Sequence, residues 1–437
     1  MSVLEAAAAG QAKSPDKATD DVVSFLAAAA RLLFTDGETT RRTVLAVERL
    51  GQALGIEVAV SPRWGEVVLR FADPAGSRLE WIPATPLGVD MRKIAETNAL
   101  IDRFCSKSIE FDEARAALAA IPRLPPVSPA RFVLLTAAGA AALGVIFGAG
   151  QWLTLCLIAF GAGVGALLRR WLATLGNNPF AQPFGAALIA GVIGAIAARF
   201  QFVSMPHLIA VCPCMVLVPG PHFLNGAIDL ARTRIALGAC RIGYAGLTTL
   251  VISVGLLSGL SLGDLNLPAS SPAGVVPFGY DVIAAGVAVA AYGTFFAMPW
   301  RMLPFPIVIG MLAHALRWLV IVPGGGSAET GALAACFLVG LIVTPVADRL
   351  RMPFAAFAFA SVVSLIPGVY IFRMASGLLN LIAPGDGPSP DLLLGTMVDG
   401  ATALLIIVAM GFGLIVPKLV IEYLFPTLTD AEPAAGD

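Results

Sequence analysis

The chain has 437 residues, of which 57% are hydrophobic and only 13% charged, and its net charge is −1. With a mean hydropathy of +0.84, it carries too little charge to cover a water-soluble globule, so the composition excludes one and points to lipid as solvent. The near-neutral balance, with no basic tract, argues against nucleic acid as a partner.

The charge is unevenly spread. Residues 1–130 hold 15 of the 28 Lys and Arg and 17 of the 29 Asp and Glu. That asymmetry predicts a soluble N-terminal domain followed by a polytopic membrane domain. Lys13, Asp16, Lys17, Asp20 and Asp21 interrupt any early apolar run, so no signal peptide is expected and the first domain is expected in the cytoplasm. Residues 1–20 read as a disordered N-terminus.

Residues 21–120 read as a small α+β cytoplasmic domain. Leu26, Leu33, Val44, Leu45, Val47, Leu50 and Leu54 show helical spacing, interrupted at "TDGETTRR". "EVAV" (57–60) and "EVVLRF" (66–71) read as strands joined by a turn around "SPRWG", with "LEWIPA" (79–84) as a third. "MRKIAETNALIDRFCSKSI" reads as a further helix. The domain offers no Gly-rich phosphate loop, metal-spaced His cluster or nucleophile elbow. "IPRLPPVSPA", 121–130, reads as a Pro-rich linker.

Ten apolar segments follow, near 131–149, 152–168, 181–199, 206–218, 236–259, 279–299, 302–322, 328–347, 353–372 and 397–417. Most approach the ~20 residues needed to cross a ~30 Å hydrocarbon core. With the N-terminal domain inside, the inner ends carry Arg131, Arg169, Arg170, Arg232, Arg234, Arg301, Arg349, Arg351 and Lys418. The outer ends carry Arg199, Arg317 and Arg373. This bias predicts an inner membrane protein with both termini cytoplasmic. Residues 261–278 read as an outer loop and 421–437 as a cytoplasmic tail.

The segments repeat. Trp152 recurs as Trp300, "RWL" at 170–172 as "RWL" at 317–319, and Gly185 and Gly194 as Gly331 and Gly340. "MP" at 205–206 recurs at 352–353, and "LVPG" at 217–220 as "LIPG" at 365–368. These offsets define repeats at 131–260 and 279–420. Each has five crossings, an odd number, so the second is expected to be inverted relative to the first, an arrangement found in transporters.

The fourth and ninth segments are expected to be broken, at Pro219–Gly220–Pro221 and at Pro367–Gly368. Gly/Pro interruptions at matching places in two repeats point to a transport site. Beside the first lie His222, Asn225 and Asp229, near one helical stripe; beside the second lie Tyr370 and Arg373. They supply donors and a cation for a carboxylate, and acceptors for an ammonium or hydroxyl. His222 and Asp229 could carry a coupling proton. Asp281 and Asp399 read as solvated groups near helix ends, and His314 is open between packing and function. Cys212 and Cys214 read as buried thiols rather than a metal or redox pair. No catalytic residue, metal site or cofactor is expected.

"PGPHFLNGAIDL", the preceding domain with "DGETTRRTVLAVERLGQALGI", and the five-plus-five layout resemble the threonine/serine exporter family. The resemblance implies a hydrophilic domain before ten membrane helices, and proton-motive-force-driven export of threonine and serine. A related branch with separate halves is associated with dicarboxylate export, which stands as an alternative function. A membrane-embedded hydrolase using His222 and Asp229, or an ion channel, are alternatives of other classes. The expected partners are a small amino acid, protons and the lipid bilayer, and a homo-oligomer is compatible with the sequence.

Overall fold

The computed structural model describes residues 15–73, 76–176, 178–201, 203–263, 267, 275–349, 353–382 and 389–425. The chain divides into two compact units. The first comprises Met1–Gly88 and Lys93–Leu124, the second Val89–Arg92 and Pro125–Asp437.

The first unit begins with helices α1 (Pro15–Thr35) and α2 (Thr40–Ala53). The start at Pro15 lies six residues before the boundary read from the sequence, and residues 1–14 lie outside the described residues. Leu26, Ala29, Ala30 and Leu33 are fully buried on α1 at i, i+3, i+4 and i+7 spacing. Gly37, at φ +97°, takes the left-handed conformation that ends this helix, and Glu38 N–H donates back to Leu33 O at 3.0 Å. Strands β1 (Val58–Arg63), β2 (Gly65–Asp73) and β3 (Gly76–Ala84) form an antiparallel sheet in that order.

The first turn is tighter than expected. β1 runs on through Ser61–Arg63, and Arg63 pairs with Glu66, leaving Trp64 and Gly65 as the turn. Pro62 is tolerated because β1 is an edge strand. Val67, Leu69 and Phe71 point inward from β2. Helices α3 (Met91–Cys105) and α4 (Phe111–Ala120) close the unit; the sequence reading had no helix at 111–120. Phe25, Phe104 and Phe111 meet edge-on, with ring centroids 5.4–6.3 Å apart.

Among its described residues the second unit holds helices and their connections, with no strand. Its first half holds α5 (Pro129–Ile146), α6 (Trp152–Leu175), α7 (Ala181–Arg199), α8 (Pro206–Met215), α9 (Gly220–Ala231) and α10 (Ile235–Ser261). Its second half holds α11 (Phe278–Phe295), α12 (Pro304–Ile321), α13 (Ala328–Arg349), α14 (Phe354–Val362), α15 (Gly368–Ile382) and α16 (Pro390–Leu424). Eight of these helices are long and apolar enough to cross a membrane. The bent pairs α8/α9 and α14/α15 bring the number to ten if each pair is one span. Most of 261–278, and residues 426–437, lie outside the described residues. α16 reaches Leu424, beyond the expected end of the repeat at 420.

The two halves use the same neighbours. α7 packs on α10 as α13 packs on α16, α5 on α6 as α11 on α12, and α9 on α10 as α15 on α16. α5 and α11, the first helices of the two halves, pack on each other, with Gly139 against Ala291. The α7–α10 contact is backbone on backbone: a Cβ at Gly255 or Gly259 would meet the carbonyls of Phe184 or Leu188. Gly340 and Gly413 likewise bring the backbones of α13 and α16 together, where a Cβ at either would lie 2.9 Å from a carbonyl of the other helix. Small residues allow this approach where no hydrophobic drive separates protein from lipid.

The "RWL" repeat has a visible role. Arg170 Nη2 donates to Val127 O at 2.6 Å, just before α5. Trp318 Nε1 donates to Val276 O at 2.9 Å, just before α11. In both halves the end of the second helix is tied to the start of the first.

Candidate functional site

The sequence breaks both bent pairs with the same device. Pro219, at φ −82° and ψ 64°, centres an inverse γ-turn in which Gly220 N–H donates to Val218 O at 2.9 Å. At the second break Gly368 N–H donates to Ile366 O at 2.8 Å, after a 3₁₀ turn at Val363–Leu365. The pairs bend by 53° and 65°. Backbone freed by such breaks must find partners in an apolar medium. Tyr292 of α11 supplies one, donating its hydroxyl to Met215 O at 2.6 Å.

The breaks cross-pack. A Cβ on Gly220 would overlap the ring of Phe359 on α14, and one on Gly368 would lie 2.5 Å from Met215 Cγ on α8. Each break glycine therefore admits the incoming half-helix of the other repeat. The Phe359 ring is backed by Tyr292 and Phe296, at 6.4 and 6.2 Å between centroids.

His222, Asn225 and Asp229 are all buried on α9. The His222 ring meets Tyr244 of α10 edge-on at 5.0 Å. Asp229 faces Arg241 of α10 at 3.3 Å and Arg234 at 3.5 Å. Arg241 is the largest fully buried side chain, at 0% exposure. It was visible in the sequence only as a cation inside an apolar segment. On α15, Arg373 pairs with Asp399 of α16 at 3.0 Å, and its guanidinium lies 5.9 Å from the Tyr370 ring. The two sets mirror each other with charges exchanged: the carboxylate is on the post-break helix in one half and on the following helix in the other.

Asp399 is thus a buried ion-pair partner, not a solvated end group. Asp281 is likewise 2% exposed. Its Oδ2 lies 2.9 Å from His314 Nδ1, and His314 Nε2 lies 2.6 Å from Ser364 Oγ at the second break. These acids lie near helix ends, but packing rather than water surrounds them. Ser364 carried no signal in the sequence. Past α9, Arg232 pairs with Glu422, which also takes Lys418 at 2.9 Å. Cys212 and Cys214 are free and buried on α8. No group of three His, Cys, Asp or Glu able to hold a metal occurs among the described residues.

Long apolar helices, two bent pairs and a buried polar lining define a polytopic α-helical membrane protein. A family model described as threonine/serine exporter (ThrE) matches residues 24–263, and a second exporter model of that name (ThrE_2) matches 281–420. The chain belongs to the threonine/serine exporter family. It is similar to a protein named "Probable threonine/serine exporter" from Mycobacterium tuberculosis, with 25% identity over 339 residues, covering 75% of this chain and 62% of that one. The chain therefore spans less than two thirds of that relative's length. No solved structure matches it.

Proposed function

We propose that the protein exports threonine and serine from the cytoplasm across the bacterial inner membrane, by antiport with protons. The observation that carries this reading is the crossing of the two breaks, Gly220 on Phe359 and Gly368 on Met215, beside a buried polar lining in a chain of an exporter family. Substrate binds between Pro219–Gly220–Pro221 and Pro367–Gly368. Its carboxylate meets the N–H groups after Pro221 or the guanidinium of Arg373. Its ammonium and hydroxyl meet Asn225, Tyr370 and the edge of His222. Asp229 already faces two guanidinium groups, and in this reading it serves as their counter-charge.

The halves form inverted repeats related by a pseudo-two-fold axis in the membrane plane, and both termini are cytoplasmic. The recurring neighbour pairs and the basic inner ends support this arrangement. The decisive experiment loads cells with dipeptides, with and without the protein, and profiles amino and carboxylic acids outside. Threonine and serine should appear, and a protonophore should abolish export against a gradient. Succinate-like acids appearing instead would overturn the substrate assignment. Export unmoved by the protonophore would overturn the coupling.

A further inference from the structure

We propose that the coupling proton is carried on the buried Asp281–His314–Ser364 chain, which joins α11, α12 and the second break. This rests on the antiport reading and assigns its proton to a specific atom, His314 Nε2.

The geometry defines a relay with one movable end. Asp281 Oδ2 and His314 Nδ1 are 2.9 Å apart, and His314 Nε2 and Ser364 Oγ are 2.6 Å apart. All three residues are at most 2% exposed. An ionisable pair held this far from water in a membrane domain is costly, and such pairs mark ion or proton pathways. Asp281 fixes the tautomer: Nδ1–H donates to its carboxylate, leaving Nε2 with a lone pair. In that state the Ser364 hydroxyl donates to Nε2.

One proton added to Nε2 converts the ring to imidazolium, with both ring nitrogens now donors. The Ser364 hydroxyl must then turn to accept, and its own hydrogen must find another acceptor. No other bond forms or breaks, and the reverse step returns the proton. Ser364 lies in the 3₁₀ turn at Val363–Leu365, three residues before Pro367. Protonation therefore reverses a hydrogen bond at the hinge of the second broken helix.

The surrounding charges fit this role. The charged groups acting on His314 are Asp281 and Arg317, one turn further along α12. Arg317 in turn lies in the field of both Asp281 and Tyr370. α14 brings no titratable side chain; its Ser361 hydroxyl is spent on Phe357 O and Pro306 O. Arg131, from α5, is bound to Thr294 and Met298 towards the other end of α11. Arg317 is thus a cation shared by the relay and a residue of the substrate lining, which gives proton and substrate a common electrostatic neighbour.

The order Asp–His–Ser is also that of an acyl-transfer triad. A nucleophilic serine must be reachable, and Ser364 is 2% exposed. The geometry favours the relay.

The test uses the full chain in proteoliposomes, with labelled threonine. Two readouts are compared: threonine exchange at equal pH, and threonine accumulation driven by a pH gradient. His314→Gln should keep exchange within about twofold and lose gradient-driven accumulation at least tenfold. Asp281→Asn should do the same. Should either variant fail to insert, Ser364→Ala and Ser364→Thr serve instead. The first should uncouple and the second, which keeps the hydroxyl, should restore coupling. A wild-type protein that is coupled while His314→Gln or Ser364→Ala stays equally coupled overturns this assignment alone. A wild type that exchanges threonine but ignores the gradient overturns the antiport reading, and this inference with it. Labelling of Ser364 by a fluorophosphonate would overturn the relay in favour of acyl transfer.

Discussion

Tyr292, on the first helix of the second half, donates its hydroxyl to the carbonyl of Met215, the last residue before the break in the first half. The hydroxyl thus gives a short bond to a carbonyl that otherwise accepts a long one, from Val218 N–H at 3.4 Å. Tyr292→Phe keeps the ring packing and leaves that carbonyl with the long bond from Val218 N–H. Losing one such hydrogen bond costs about 0.5–1.5 kcal/mol. The variant should insert normally but melt earlier in a detergent thermal-shift assay. An unchanged melting temperature would mean that the carbonyl has found another donor.

Gly220 is where the halves cross most closely. Gly220→Ala places a methyl inside the space of the Phe359 ring, which Tyr292 and Phe296 prevent from retreating. Overpacking of this kind costs ~1–3 kcal/mol. Thermal stability and threonine export should both fall. Adding Phe359→Ala to this variant makes room, and should recover part of the stability lost. A double variant no better than Gly220→Ala would show that the clash lies elsewhere.

The Asp229–Arg241 pair is the most deeply buried ion pair of the first half, with side chains 2% and 1% exposed. Removing Asp229 strands the Arg241 charge, at about 3–5 kcal/mol, whereas removing Arg241 leaves Asp229 with Arg234 at 3.5 Å. Asp229→Ala should lower membrane yield sharply, and Arg241→Ala less, because Asp229 keeps Arg234. The double variant should recover much of what Asp229→Ala loses, because no buried lone charge remains and Arg234 is partly exposed. If Asp229→Ala alone yields normal protein with normal export, Arg241 is held by other groups.

Asn225 and Arg373 test the substrate site in different ways. Asn225→Ala should insert normally and raise the half-saturating internal threonine concentration by roughly tenfold, as expected for loss of a hydrogen bond to a charged ligand. Arg373→Ala also strands Asp399, 3.0 Å away, so it is informative only beside Arg373→Ala/Asp399→Ala. Weak threonine binding in the stable double variant would assign Arg373 to substrate. Export with wild-type concentration dependence in both Asn225→Ala and the double variant would leave the breaks as structural kinks.

What the sequence determined by itself is what local chemistry decides. Runs of about twenty apolar residues need a bilayer wherever they lie. A Pro-Gly step interrupts a helix whatever surrounds it, so Pro219–Gly220 and Pro367–Gly368 were legible as breaks. The shared "RWL" and "PG" steps are what suggested that the two halves are copies. Between-element distances are another matter. Asp281, His314 and Ser364 lie 33 and 50 residues apart and share no spacing rule. Their contact exists only because α11, α12 and the second break pack together. Asp281 and Asp399 near helix ends looked solvated because sequence position cannot distinguish an end facing water from one facing protein. Arg241 looked like a stray cation until α10 packed on α9 and set it against Asp229. Charge partnership in a membrane domain is settled by which helices touch, since the cost of an isolated charge in an apolar medium is removed only by a partner within reach.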